Sequence, residues 1–82
     1  MKLVKNVKDL KVGETYRYQG IGTMYKNAVY TAVVLGIYAH IILMSICIDE
    51  TSMEEPVYGN PIPYNWAICK NDIGRTERLY EI

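Results

Sequence analysis

From Asn27 to Ile48 the chain runs for 22 positions without a charged side chain, NAVYTAVVLGIYAHIILMSICI, in a total of only 82 residues. More than a quarter of the molecule must therefore leave bulk water, either as one membrane-spanning helix or as two buried β-strands. The length suits a spanning helix, which needs about 20 mostly apolar residues. The flanks suit it as well. Lys2, Lys5, Lys8, Lys11, Arg17 and Lys26 precede the run against only Asp9 and Glu14, and Asp49, Glu50, Glu54 and Glu55 follow it, the asymmetry of a positive-inside segment. A single pass over residues 27–48 is thus the membrane alternative.

Residue chemistry favours the strands. Val29, Tyr30, Thr31, Val33, Val34, Ile37, Tyr38, Ile41, Ile42, Ile46 and Ile48 are β-branched or aromatic, types that fit a pleated surface better than a helix. Tyr38 and His40 fall near the middle of the run, where a bilayer would offer their polar atoms no water. Gly36 to His40 divides it into Tyr30–Ile37 and Ile41–Ile48, each of ordinary strand length. Strands buried on both faces lose their polar alternation and read as one apolar run, so a hairpin inside a closed sheet is the expectation.

The rest of the chain supplies shorter strands. Residues 3–13 read as a lead-in arm, helical turn or extended, ending at Gly13. Thr15–Gln19 alternates, with Tyr16 and Tyr18 on one face and Arg17 on the other. Gly20-Ile21-Gly22 reads as a loop or bulge. Residues 49–63, with three prolines and an acidic cluster, form the longest loop, with a brief edge strand possible at Val57-Tyr58. Tyr64–Lys70 alternates again, Asn71–Gly74 turns, and Thr76–Ile82 closes the chain with Arg78, Tyr80 and Ile82 on one face. Five strands of this kind predict a single all-β domain over residues 1–82, a small five-stranded antiparallel SH3-like or OB-like barrel with an N-terminal arm. Closure would also protect sheet edges.

Gly13-Glu14-Thr15-Tyr16-Arg17-Tyr18-Gln19-Gly20, followed by Val34-Leu35-Gly36-Ile37 and His40, resembles an uncharacterised family of small bacterial and phage β-barrel domains. That family reads Gly-x-Tyr-Arg-His-x-Lys-Gly and then Tyr-x-Val-Leu-Gly-x-x-x-His. The likeness covers about half the chain. Tyr18 stands where the family has His, and the spacing between the two blocks is longer. The family has no assigned activity, so the resemblance implies a small β-barrel and no chemistry. The Tyr- and Ile-rich character is also similar to accessory proteins of phages of low-GC bacteria, many of which block a host macromolecule.

Charge and chemistry narrow the function classes. Lys plus Arg and Asp plus Glu are nine each, so the basic surplus usual in a nucleic-acid binder is missing. Cys47 and Cys69 are too few for a secreted disulfide scaffold, and the first 27 residues lack a continuous apolar signal core. A cytoplasmic protein with two reduced core thiols is the expectation. His40, Cys47 and Cys69 are residue types that ligate zinc, but they show none of its usual spacings, and no cofactor is expected. No nucleophile elbow, P-loop or HExxH occurs, so the chain is not read as an enzyme.

Two surfaces remain. Asp49, Glu50, Glu54 and Glu55 make an acidic loop, joined by Tyr58, that fits docking onto a basic groove of a host protein. Tyr16, Arg17, Tyr18, Tyr25, Lys26, Tyr64 and Trp66 fit a stacking platform for single-stranded nucleic acid. With eight Tyr, one Trp and no Phe, every aromatic carries a polar handle suited to interfaces. The leading expectation is a non-enzymatic protein that binds and inhibits a host macromolecule, of the anti-defence kind exemplified by anti-CRISPR proteins. A nucleic-acid or nucleotide-binding barrel is the alternative.

Overall fold

The uncharged run folds back on itself. The structure, a computed structural model, describes residues 2–23, 28–49 and 63–82. Within them β1 spans Lys2–Leu3, β2 Thr15–Gln19, β3 Tyr30–Ile37, β4 Ile41–Ile48, β5 Tyr64–Cys69 and β6 Arg78–Glu81, with 3₁₀ turns at Val7–Asp9 and Lys70–Asp72. The two long strands have the limits expected from the sequence, and they pair antiparallel around Tyr38–His40. No helix among the described residues is long and apolar enough to cross a membrane, and the segment proposed to span it consists largely of these two strands.

The expected closed barrel, five-stranded and SH3-like or OB-like, is corrected to an open six-stranded antiparallel sheet in the order β1-β6-β2-β3-β4-β5. β1 and β5 lie on opposite edges with no ladder between them. The physical reason lies in the arm. Its only strand is two residues long and pairs with β6, Lys2 opposite Glu81. It is too short to seal a barrel against the six residues of β5. The core face is covered by chain segments instead: Val4, Val7 and Leu10 from the arm, and Ile73 after β5. Val57-Tyr58 lies outside the described residues.

The long strands also differ from expectation in burial. Only one face of each is sealed: Tyr30, Ala32 and Val34 on β3, and Ile42, Met44 and Ile46 on β4. Their core partners are Tyr16 and Tyr18 on β2, Leu79 on β6 and Ile68 on β5. Fully burying an aliphatic side chain of this size is worth about 1.5–3 kcal/mol, so these alternate positions are the main stabilising set. Residues on the opposite face are uncharged too, and mostly apolar, which is why the sequence shows no clear alternation. One bulge interrupts the ladder. Val34 faces Met44 and Gly36 faces Leu43, leaving Leu35 as the extra residue, 44% exposed. A bulge bends a strand and re-aims its side chains. Here it returns Ile37 to the core face opposite Ile42.

Candidate functional site

Two features of the described molecule stand apart from ordinary packing: a buried carboxylate that ties two turns together, and an uncharged outward sheet face.

Glu77 is the buried charged residue among the described ones, 3% exposed. It lies on the approach to β6, and its carboxylate accepts a hydrogen bond from the Tyr18 hydroxyl through Oε2. The Ile21 backbone N–H donates to Oε1 at 3.3 Å. A buried carboxylate is tolerated only when such donors replace water. The Tyr18 oxygen in turn accepts from the Gly22 N–H at 3.1 Å, and the Tyr64 hydroxyl donates to the Gly22 carbonyl. The Gly20–Thr23 turn is thereby fixed to β2, β5 and the segment leading into β6. Both of its glycines are required by contact. A Cβ on Gly20 would fall 2.2 Å from Glu77 Oε2, and one on Gly22 would fall 2.9 Å from Trp66 Cε2. Burial first, and then the hydrogen bond to Glu77, push the Tyr18 phenol well above its ordinary value of 10.0. Tyr64 is raised as well, chiefly by burial and then by Tyr30 and Cys47.

The outward face of β3, β4 and β5 is different in kind. Its cross-strand pairs are Thr31 with Cys47, Val33 with Ser45, Leu43 with Ala67, Ser45 with Asn65 and Ile41 with Cys69. None of these residues is charged. Leu35, Ile41 and, in the adjoining turn, Tyr38 are exposed by 44%, 39% and 55%. Arg17 of β2 stands at the polar margin of this face, 3.9 Å from Asp49. With both side chains about one-third exposed, that pair is worth at most about 1 kcal/mol.

The candidate binding residues fall into three groups. Tyr16 and Tyr18 are core residues, 5% and 3% exposed, so their rings offer no face for a stacked base. Tyr64 and Trp66 are half-buried on the core side of β5, beneath the Gly20–Thr23 turn. Arg17 and Asp49 are the pair of candidates brought together at the surface. Tyr25, Glu50, Glu54, Glu55 and Tyr58 lie outside the described residues.

The thiols are corrected. Both are free, but Cys69 is exposed and Cys47 only half-buried, because each occupies an outward position in its strand. His40 sits in the β3–β4 turn, at the opposite end of β4 from Cys47. Among the described residues no group of three or more His, Cys, Asp or Glu could hold a metal ion.

Sequence reading missed Glu77, although a clue was present. Placing Arg78 and Tyr80 on one face of the last strand puts Glu77 on the other with Leu79, the inward one. No family model, curated protein or solved structure matches the chain.

Proposed function

We propose that this protein is a non-enzymatic binding module that docks a partner protein on the outward face of β3–β5 and acts by occluding the partner's surface. The observation that carries the reading is the uncharged character of that face across three adjacent strands, with Leu35, Ile41 and Tyr38 standing exposed at one end. Large apolar side chains exposed together on an uncharged face mark interaction sites more often than scattered single residues do. The Arg17–Asp49 margin supplies a polar rim, as expected at the periphery of an interface. An inhibitor of a host macromolecule, resident in the cytoplasm, is the concrete form of this reading.

The test is affinity capture from host lysate with the wild-type chain beside the double variant Leu35→Lys, Leu43→Lys. Both positions point outward, so the variant should keep its fold and melting behaviour within a few degrees. A stoichiometric protein recovered by the wild type and lost with the variant supports the docking face. Equal recovery by both would place the contact elsewhere. Co-purification of nucleic acid without a protein would move the function to the alternative class.

A further inference from the structure

We propose that a second site, the groove between the Gly20–Thr23 turn and residues 75–78, binds the phosphoryl group of a small phosphate or phosphate monoester through Arg75 and Arg78. The groove is a shallow, open one of about 570 Å³, lined among the described residues by Gln19, Gly20, Ile21, Thr23, Arg75, Thr76 and Arg78. Both arginines are exposed, and among the described residues neither is ion-paired; the ion pair there is Arg17 with Asp49. Two planar guanidinium groups on one groove are suited to bidentate binding of phosphate oxygens. Thr76 and Gln19 line the same groove and carry neutral donors, a hydroxyl and an amide.

The walls are held before any ligand arrives. Arg75 N–H donates to the Asp72 carbonyl at 3.0 Å, Glu77 N–H donates to the same carbonyl at 3.1 Å, and Gly74 N–H donates to the Glu77 carbonyl at 2.8 Å. On the facing wall the Thr23 hydroxyl and N–H both donate to the Gly20 carbonyl. Glu77 joins the two walls through Tyr18 and Ile21. Its one negative charge lies beneath the groove and offsets part of the field of the two arginines, so affinity is modest and a dianion is preferred over a monoanion. Among the described residues no aromatic side chain lines the groove. Recognition of single-stranded nucleic acid leans on base stacking, so the chemistry here favours a small phosphate ligand over a polynucleotide.

Titration of the full chain with inorganic phosphate and with glycerol phosphate, each against sodium chloride of equal ionic strength, tests the site by amide chemical shifts. Saturable shifts confined to residues 19–23 and 75–78 are expected. Arg75→Gln and Arg78→Gln should each weaken binding about tenfold, the loss of one charge-assisted contact, while Lys8→Gln, in the N-terminal 3₁₀ turn, leaves it unchanged. If glycerol phosphate binds and inorganic phosphate does not, the ester is the ligand; comparable binding of both assigns the phosphoryl group alone. Shifts that chloride reproduces, or that survive the double arginine variant with an unchanged melting curve, overturn the proposal. Binding only to an oligonucleotide also overturns it.

Discussion

A carboxylate sealed from water is stable only while its donors stay in place, and Glu77 has two, the Tyr18 hydroxyl and the Ile21 amide. Replacing it with Gln keeps the shape but turns a charged acceptor into a neutral one. Glu77→Gln should lower unfolding free energy by about 1–2 kcal/mol and Glu77→Ala by about 3 kcal/mol, since the latter also leaves the Tyr18 hydroxyl without its acceptor; urea denaturation checks both. The Tyr18 phenol is raised in the folded protein, so folding favours its protonated form. That contribution is whole below the ordinary phenol value of about 10 and drains away as pH climbs above it. Melting temperature followed upward from pH 9 should fall, and Tyr18→Phe should flatten part of the decline, Tyr64 accounting for another part through its own raised value. That Tyr18 shares a strand face with Tyr16, opposite Arg17, was legible from their alternation. The union of Tyr18 with Glu77, 59 positions along the chain, was not, because nothing local links Gly20-Ile21-Gly22 to the last strand.

Strand limits and pairing of the central hairpin were readable because β-branched residues crowd both halves and Gly36 to His40 breaks them. Burial was not readable. Outward Val33, Leu43 and Ala67 are as apolar as inward Val34, Met44 and Ile46, so hydropathy alone suggested strands enclosed on both sides. Substitution separates the faces. Met44 is 0% exposed, and Met44→Ala should cost about 2–5 kcal/mol as a cavity-forming change. Leu43→Ala, one position along and facing outward, should cost less, about 1–2 kcal/mol, since its side chain is only half-buried. The same logic covers the candidate binding residues. Arg17 and Asp49 were separable from the core by their charge, whereas Tyr16 and Tyr18 carry the ambiguity of every tyrosine, apolar in the ring and polar at the tip.

Taken as a whole, the sheet fails to close because its edges are unequal, a two-residue β1 against a six-residue β5. The expectation of closure rested on strand count and edge protection. It had no means of weighing the arm, which covers the core with Val4 and Leu10 and contributes only Lys2 and Leu3 to the ladder. Openness also governs the thiols. Pairing of Ile46 with Tyr64 and of Ile41 with Cys69 sets Cys47 and Cys69 about six positions apart along adjacent strands. That is roughly 20 Å, well beyond disulfide reach. Both should titrate with a thiol-specific reagent in the native state, Cys69 before Cys47, and mild oxidation should yield no intramolecular bridge by mass spectrometry.

The pairing of Lys2 with Glu81 brings the first and last strands side by side, about 5 Å apart at these Cα atoms. The order in which the strands are read is therefore separable from the shape they make. A circular permutant that joins residue 82 to residue 1 through a short glycine-serine bridge, and opens between Ala39 and His40 in the exposed β3–β4 turn, should refold to the same β-type circular dichroism spectrum. Opening instead at Met44, in the middle of the fully buried row, should leave an insoluble chain.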